Sequence, residues 1–343
     1  MTVYLYDISA MIYAGTLSRR TMYWNHYCFP TGGIYKVLSY LMRDIKNLKQ
    51  GDKIIACVDS KESIRKKYFT DYKENRVGKL SPTQYKLLKL QYDVIEEALK
   101  DAGVLVAKVD GLEADDLMYS FAYKFPNEDV IIRADDGDLD DTKLFCSKAS
   151  IQSVSGRESI RMGDNVIISK ILNGDLKDNI KALPNDIVCK SQVMNWYLSG
   201  ELNIFDTTLT YDRLLKYGLD PDFTKALYKN IFLKAPKIID VGEIKDTVIN
   251  KDSLRKLFSI FSLQNFLKSS NMTKDTSEDV SNKFIEYLSR LDSDVRDFFV
   301  NKEYKTYDFG VDIDDYLKAQ ANKQRKELSS IEDKVSKWRT NNT

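Results

Sequence analysis

Two dense groups of carboxylates follow two strand-like apolar runs. The run at residues 104–107 precedes Asp110, Glu113, Asp115 and Asp116, and the run at residues 130–132 precedes Asp135, Asp136 and Asp138. Like charges this close repel one another strongly unless cations lie between them. A helix dipole also favours acids in a first turn, which is the simpler explanation of either group alone. Because α/β sheets place their sites beyond the carboxyl ends of strands, two such groups favour a divalent-metal site.

Two earlier strand-like runs also end in an acid. Residues 3–6 are followed by Asp7, and residues 54–58 are followed by Asp59. Further along the chain, Asp175 and Asp178 add two acids at i,i+3 spacing. The single histidine, His26, lies in a turn-prone aromatic stretch without a partner. Any chemistry must therefore come from carboxylates.

The composition is that of a chain that can bury a large core. Its 343 residues, 43% of them hydrophobic, predict two domains or one large domain with appendages. The 52 basic and 51 acidic side chains give a net charge of +1, so nucleic acid would have to bind a local basic patch. The four cysteines contain no C-x-x-C pair, which argues against a zinc knuckle and favours reduced thiols. No apolar run approaches the roughly 18 residues that span a bilayer, and we expect a soluble protein.

A basic segment of one sign occupies residues 60–92. Its cations include Arg65, Lys66, Lys73 and Arg76, and aromatic residues such as Tyr72 are interleaved with them. Cations for phosphates and rings for base stacking are typical of a single-strand nucleic-acid channel. A solvated helix face is the alternative, although such faces usually carry both signs.

Two glycines open the next helix-like segment. Gly32 and Gly33 follow Pro30-Thr31 and precede apolar residues at helical spacing. Free N–H groups at such a start can hold a phosphate, and a plain helix start is the alternative.

The second half of the chain is predicted to be mainly helical. Residues 151–162 predict a hairpin with Ser155-Gly156 as its turn, and residues 166–172 predict a helix. After residue 271 we expect a linker-like stretch and then helices that bind a partner or pack against the body. Before it, residues 194–267 predict helices with lysine-rich faces that include Lys225, Lys229, Lys234 and Lys237.

Six motifs occur in an order that resembles the metal-dependent 5′ nuclease family, which includes flap endonucleases and the 5′ exonuclease domains of DNA polymerases. The likeness covers roughly Val3 to Lys274, and residues 170–179 resemble in particular the ribonuclease H of T-even bacteriophages. The motifs are Tyr6-Asp7-Ile8-Ser9, Val58-Asp59, Tyr72-Lys73-Glu74-Asn75-Arg76, Glu113-Ala114-Asp115-Asp116, Asp136-Gly137-Asp138-Leu139 and Gly174-Asp175-Leu176-Lys177-Asp178-Asn179-Ile180.

The resemblance implies an α/β fold with a central, mostly parallel sheet flanked by helices, of the PIN-like 5′ nuclease type. Residues 1–165 would form the nuclease core and would include a basic helical arch at 60–92. Residues 166–274 would form a helical DNA-binding region that completes the metal site, and residues 275–343 would form a charged helical extension.

The resemblance also implies two Mg²⁺ ions, for which Mn²⁺ would substitute, and oxygen-only ligands suit such hard cations. Two ions of this kind support in-line displacement at a phosphodiester. Lys73 and Arg76 match arch residues that approach the scissile phosphate, and with Gly32, Gly33, Arg65, Lys66 and Tyr72 they are the predicted nucleic-acid contacts. The implied ligands are Asp7, Asp59, Glu113 and Asp115 for the first ion, with Asp116 beside it, and Asp136, Asp138 and Asp178 for the second, with Asp175 behind them.

The chain departs from the family pattern at two places. Residues 181–190 lack the glycines of the helix-hairpin-helix with which cellular members grip a duplex backbone. Asp140 and Asp141 stand where the family usually has an uncharged pair, and we expect them to be solvated surface.

The predicted function is that of a Mg²⁺-dependent 5′–3′ exonuclease with flap endonuclease activity on RNA:DNA and DNA duplexes, as in removal of RNA primers in phage lagging-strand replication or in repair. Expected partners are branched or nicked DNA and RNA:DNA duplexes with a 5′ single-stranded end, and a single-stranded DNA-binding protein or sliding clamp. We expect a cytoplasmic monomer, in the host cytoplasm if the chain is phage-encoded. The alternatives are a nuclease-fold DNA-binding protein without catalysis, although every expected position holds an acid, and a toxin-like ribonuclease, which would leave the basic arch unexplained.

Overall fold

The structure is a computed structural model that describes residues 1–18, 23–24, 29–76, 82–154, 165–244 and 248–255. Its strands are β1 Thr2–Asp7, β2 Tyr23–Trp24, β3 Phe29–Pro30, β4 Lys53–Cys57, β5 Leu105–Ala107, β6 Asp129–Arg133 and β7 Ser150–Gln152. Five of them form one parallel sheet in the order β5-β4-β1-β6-β7, and β2 and β3 form an antiparallel pair. The predicted α/β fold with a central parallel sheet is confirmed.

Helices connect and cover these strands. Two short 3₁₀ helices, Glu74–Arg76 and Gly137–Leu144, lie near the acidic motifs. The α-helices are α1 Ile8–Ser18, α2 Gly32–Asp44, α3 Ile64–Tyr68, α4 Pro82–Asp101, α5 Ala114–Lys124, α6 Val166–Asn173, α7 Ile187–Leu198, α8 Tyr211–Leu215 and α9 Pro221–Lys234.

The sheet has helices on both faces because its central strand is apolar on both faces. Val3 and Leu5 of β1 pack with the buried side of α5, whereas Tyr4 and Tyr6 pack with α1, α2 and α4. Successive side chains of a strand point to opposite faces, so an unbroken apolar run is buried on both. Asp7 is the last residue of this buried strand, and the parallel pairing of β1 with β4 and β6 places it at the carboxyl edge of the sheet.

A second apolar core joins the helices after the sheet. Helices α6, α7, α8 and α9 share it, and Asn230 of α9 donates from its amide to the carbonyls of Ile171 and Lys181 at 2.8 Å each. Asp141 is buried and accepts hydrogen bonds from the N–H groups of Val166 and Ile167 at 3.1 and 2.8 Å. The expectation that Asp141 is solvated surface is therefore wrong, because its carboxylate caps the start of α6.

The predicted basic arch is divided between exposed and buried parts. Helix α4 packs into the core through Leu88, Val94 and Ile95, whereas Lys66 and Lys67 of α3 are exposed. Four parts of the chain with sequence predictions lie outside the described residues: residues 77–81, the turn of the predicted hairpin, His26 and the tail at 275–343. Strand β7 pairs in parallel with β6. No helix in the described ranges has the length and apolar character needed to cross a bilayer.

A buried polar network ties β1 to β6 on the side of the sheet that faces α2. Arg133 of β6 donates through Nε to Asp44 of α2 at 2.9 Å, and Tyr6 of β1 donates to the same carboxylate. Nη2 of Arg133 donates to the other oxygen of Asp44, and Nη1 donates to the side-chain oxygen of Gln152 in β7. The network holds the register of the two strands that lead to Asp7 and Asp136.

Arg133→Met should lower the free energy of unfolding by about 3–5 kcal/mol, because it leaves the Asp44 carboxylate buried without its partner. Arg43→Met is the matched control, since Arg43 pairs with the same carboxylate at 3.7 Å but is 54% exposed, and its loss should cost about 1 kcal/mol or less. Urea denaturation of both variants measures the difference. Equal losses would contradict a structural role for the buried network.

Candidate metal centre and its basic rim

Three carboxylates from three elements lie near one another at the carboxyl edge of the sheet, close enough for the charge of one to raise the pKa values of the other two. Asp7 ends β1, Asp59 follows β4, and Asp115 lies in the first turn of α5. The Asp59 carboxylate accepts from the N–H of Ala114 at 2.7 Å, which fixes the start of α5 beside β4. Asp7 accepts from the N–H of Ala10 at 2.8 Å. We refer to Asp7, Asp59 and Asp115 as the first cluster.

Among the described residues, no cation forms an ion pair with an acid of the first cluster. Burial, together with the neighbouring carboxylates of Asp59 and Asp136, raises the pKa of Asp7 to about 7, although the Ala10 N–H and the cation of Lys73 act in the opposite direction. Burial also raises the pKa of Asp115, with Asp136 and Asp7 as the next causes. Oxygen donors with excess negative charge fit a hard divalent cation.

The neighbouring acids of α5 are already paired. Glu113 accepts from Lys73 Nζ at 2.8 Å and from the hydroxyl of Tyr72 at 3.1 Å. Asp116 accepts from both arms of the Arg65 guanidinium at 2.7 and 2.6 Å. Although burial opposes ionisation, this pairing lowers the pKa of Asp116. Asp116 also accepts from two backbone N–H groups, so its predicted place as a metal ligand does not fit the geometry.

Arg65 therefore supports the site from inside the protein. It is 3% exposed, and its guanidinium also donates to the carbonyls of Leu233 and Ala235 at 2.9 and 3.0 Å. Tyr72 is buried as well and faces Glu113. The predictions that Arg65 and Tyr72 contact nucleic acid do not fit this burial, whereas the predicted contact Lys66 is exposed.

The predicted phosphate site at Gly32 and Gly33 also has a different explanation. The side-chain oxygen of Gln91 accepts from the N–H of Gly33 at 2.7 Å. A Cβ on Gly32 would lie 2.8 Å from the carbonyl oxygen of Gly15. Both glycines are buried where α1 and α2 cross, so they permit close helix packing and do not face a nucleic acid.

A second cluster consists of Asp138, Asp175 and Asp178. Carboxylate oxygens of these three buried residues lie within 4.8 Å of one another. Lys234, from the last turn of α9, places its ammonium among them, 2.7 Å from Asp175 and 2.9 Å from Asp178 and also in contact with Asp138. Lys170 contacts Asp138 and lies 3.2 Å from Asp175. Unlike the first cluster, this one contains cations of the chain.

Asp136 acts on the first cluster through its charge and also forms an ion pair of its own. Its negative charge raises the pKa values of Asp7 and Asp115, yet its own carboxylate pairs with Lys177 Nζ at 2.7 Å. Burial opposes ionisation of Asp136, but Lys177, the N–H of Asp138 and Lys234 together lower its pKa. The assignment of Asp136 to the second ion stays a prediction, and its charge also acts on the first cluster.

The motif at 72–76 interlocks with the motif at 174–180. The N–H of Lys73 donates to the carbonyl of Asp178 at 3.0 Å, and the Asn179 side chain donates to the carbonyl of Asp71 at 2.7 Å. Arg76 pairs with the Asp178 carboxylate and is partly exposed. Lys73 has a left-handed backbone with φ of 54°, which is uncommon for a residue with a Cβ. These contacts hold both predicted arch cations at the rim of the carboxylates.

Three lysines pair with predicted ligands that the sequence motifs do not connect with them. Lys170 pairs with Asp138, Lys177 with Asp136, and Lys234, which the sequence predicts on a lysine-rich helix face, pairs with Asp175. The available signal was local: Lys170 and Lys234 each stand among apolar residues, where a solvated lysine is not expected.

Known proteins resemble this chain over most of its length. Residues 2–169 match the family model described as 5'-3' exonuclease, N-terminal resolvase-like domain. A 5'-3' exonuclease of Aquifex aeolicus is 30% identical over 270 residues, which are 75% of this chain and 89% of that protein. One from Buchnera aphidicola of Acyrthosiphon pisum is 28% identical over 255 residues, 68% of this chain and 86% of that protein.

A solved structure also resembles the chain. The flap endonuclease of bacteriophage T5, in a complex with DNA and metal ions, has a TM-score of 0.41 and 14% identity, covering 90% of this chain and 100% of that one. Together with the ordered acidic motifs and the parallel sheet that collects them, the sequence matches show that this chain belongs to the 5′–3′ exonuclease family of 5′ nucleases.

Proposed function

We propose that this member of the family is a divalent-metal-dependent 5′–3′ exonuclease with flap endonuclease activity that hydrolyses phosphodiester bonds of DNA and RNA:DNA duplexes. The observation that carries the proposal is the uncompensated charge of Asp7, Asp59 and Asp115 beside the cationic pair Lys73 and Arg76. Anionic oxygens that hold a dication, next to cations that face a phosphate, are the arrangement that phosphodiester hydrolysis needs.

The first cluster would hold Mg²⁺ or Mn²⁺ through Asp7 and Asp115, with Asp59 and Asp136 adding negative charge. A divalent ion supplies Lewis acidity toward a phosphoryl oxygen and favours ionisation of water. Cys57 pairs in register with Asp7, but burial and the neighbouring acids raise the pKa of its thiol, which favours the protonated form. The remaining donors around the site are oxygens, and oxygen ligands select hard cations over zinc or copper. The implied second ion would be held by Asp138, Asp175 and Asp178, whose charge is shared with Lys234.

Lys73 and Arg76 are the groups proposed to stabilise the scissile phosphate. The ammonium of Lys73 is held by Glu113 at 2.8 Å, and the guanidinium of Arg76 is held by Asp178. Cations fixed before the substrate binds lose little free energy to reorganisation as charge develops on the phosphoryl oxygens. Their pairing with acids fixes both cations at the rim of the site, where the charge of Lys73 still acts on Asp7 and Asp115.

Exposed side chains of α3 and α4 would bind the nucleic acid. Lys66 and Lys67 can contact phosphates, and the exposed rings of Tyr68 and Tyr85 can stack on unpaired bases. This set replaces Arg65, Tyr72 and the two glycines as the proposed nucleic-acid surface.

The substrate and the biological role follow from this proposal. A 5′ single-stranded end on branched or nicked DNA, or on an RNA:DNA duplex, would pass this basic rim, as in removal of RNA primers during lagging-strand replication or in repair. Residues 1–165 would act as the nuclease core and residues 166–274 as the DNA-binding region. The proposal also includes a cytoplasmic monomer, a sliding clamp or single-stranded DNA-binding protein as its partner, and a phage origin. The curated relatives named above are bacterial.

A 5′-labelled flap on DNA, and the same flap made of RNA, should be cleaved in Mg²⁺ and not in EDTA. Asp115→Asn should slow single-turnover cleavage by at least about a hundredfold, a loss of roughly 3 kcal/mol in transition-state stabilisation, because it removes an anionic ligand from the first cluster. Gel analysis of products separates flap release from stepwise exonuclease cleavage. Full-rate cleavage in EDTA, or by Asp115→Asn, would show that the first cluster is not the catalytic centre.

Adjacent aspartates should have opposite effects on stability without metal. The pKa of Asp115 is raised in the folded state, so its contribution destabilises the fold increasingly as pH rises above the unfolded pKa. In EDTA at about pH 8 Asp115→Asn should therefore raise Tm, whereas Asp116→Asn should lower the free energy of unfolding by about 3–5 kcal/mol because Arg65 loses its buried partner. Calorimetry measures both variants. Limiting Mn²⁺, which would fill the first cluster before the second, should raise the Tm of the original chain more than that of Asp115→Asn. The same sign of change for both variants in EDTA would refute the charge assignment.

A further inference from the structure

Lys234 has no role in the function proposed above, yet it lies at the centre of the second cluster. Its side chain is 4% exposed, and its ammonium contacts Asp138, Asp175 and Asp178 together. The pKa of Lys234 is raised because the acids, led by Asp138 and Asp178, outweigh the effect of burial. A compact ammonium with three donors suits a position where three carboxylates converge.

The backbone on either side of Lys234 is fixed. Arg65 donates to the carbonyl of Leu233 at 2.9 Å and to that of Ala235 at 3.0 Å. One turn earlier, Asn230 ties α9 to the carbonyls of Ile171 and Lys181. Because these contacts hold the end of α9 from two sides, the ammonium can leave the second cluster only by rotation of its own side chain.

The two clusters differ in the way their charge is balanced. The first has no ion pair among the described residues, whereas the second has the ammonium of Lys234 and, beside it, that of Lys170. A divalent ion that enters the second cluster must either displace the Lys234 ammonium or bear its repulsion in a poorly solvated place. The first cluster presents no such competitor.

We propose that Lys234 is the resident cation of the second cluster and determines the order in which the carboxylates take up divalent ions. Its ammonium lowers the affinity of Asp138, Asp175 and Asp178 for a divalent ion, so the first cluster fills first. The inference rests on the proposed metal dependence of the chain, but it concerns binding and does not require that the chain cleave nucleic acid.

Mn²⁺ binding to the purified full chain, measured from the loss of the free-ion signal in electron paramagnetic resonance, tests this role. The original chain should bind one ion tightly and a second far more weakly. Lys234→Met should bind the second ion at least about tenfold more tightly, because a like charge next to the ion is removed. Lys234→Arg keeps the charge and should keep the second ion weak.

Lys229→Met is the matched control, since Lys229 lies on the same helix and pairs with Asp71 at 2.7 Å, outside both clusters. It should leave both affinities unchanged. If Lys234→Met does not fold in the absence of metal, Lys234→Gln prepared in Mn²⁺ provides the same comparison, because its amide is neutral and can still donate hydrogen bonds.

Unchanged or weaker binding of the second ion in the neutral variants would overturn the proposal, and so would equal, tight binding of two ions by the original chain. A failure of the proposed function is recognised separately. If the chain binds Mn²⁺ as expected but cleaves no flap in the assay described above, the role of Lys234 stands and the nuclease proposal fails. Loss of the tight ion in Asp115→Asn, with the effect of Lys234→Met retained, would assign the two ions to the two clusters.

Discussion

The buried ion pair between Arg65 and Asp116 holds together the three segments that meet at the carboxylates. Arg65 belongs to α3, Asp116 to the first turn of α5, and the carbonyls of Leu233 and Ala235 at the end of α9 accept from the same guanidinium. A bidentate pair of this kind has a defined geometry, and removing one partner leaves a buried charge without compensation. The positions of Asp115 on one side and of Lys234 on the other therefore depend on this one interaction.

Once these segments are fixed, the acids divide into two classes by the partner that neutralises them. Glu113, Asp116, Asp136, Asp138, Asp175 and Asp178 pair with lysine or arginine side chains, and Asp7, Asp59 and Asp115 form no ion pair within the described ranges. The internal ion pairs make the paired acids a rigid, nearly neutral frame. The acids of the first cluster, which form no such pair, carry the charge that an external cation can neutralise. Proximity of carboxylate oxygens alone would point to the second cluster, whereas the balance of charge points to the first.

Much of the fold followed from local sequence patterns. Short apolar runs ending in an acid predicted parallel strands with their carboxylates at one edge, because that edge is common to all strands of a parallel sheet. The place of Asp7 and Asp59 at this edge was recoverable for the same reason.

The partners of the acids were not recoverable, because they are distant in sequence. Arg65 looked like one more cation of a basic run, but its partners lie 51 residues away at Asp116 and 168 residues away at Leu233. Gly33 looked like part of a phosphate loop, but its N–H is bonded to Gln91, 58 residues away. The apolar surroundings of Lys170 and Lys234 are the local signal that their charges are used inside the protein.

Anomalous diffraction from crystals grown with limiting Mn²⁺ tests most directly whether the acids without an internal cation are the metal site. The strongest anomalous peak should lie in contact with Asp7 and Asp115, with Lys234 still among Asp138, Asp175 and Asp178. A strongest peak among those three carboxylates, with the Lys234 ammonium displaced and no peak at Asp7 and Asp115, would contradict it.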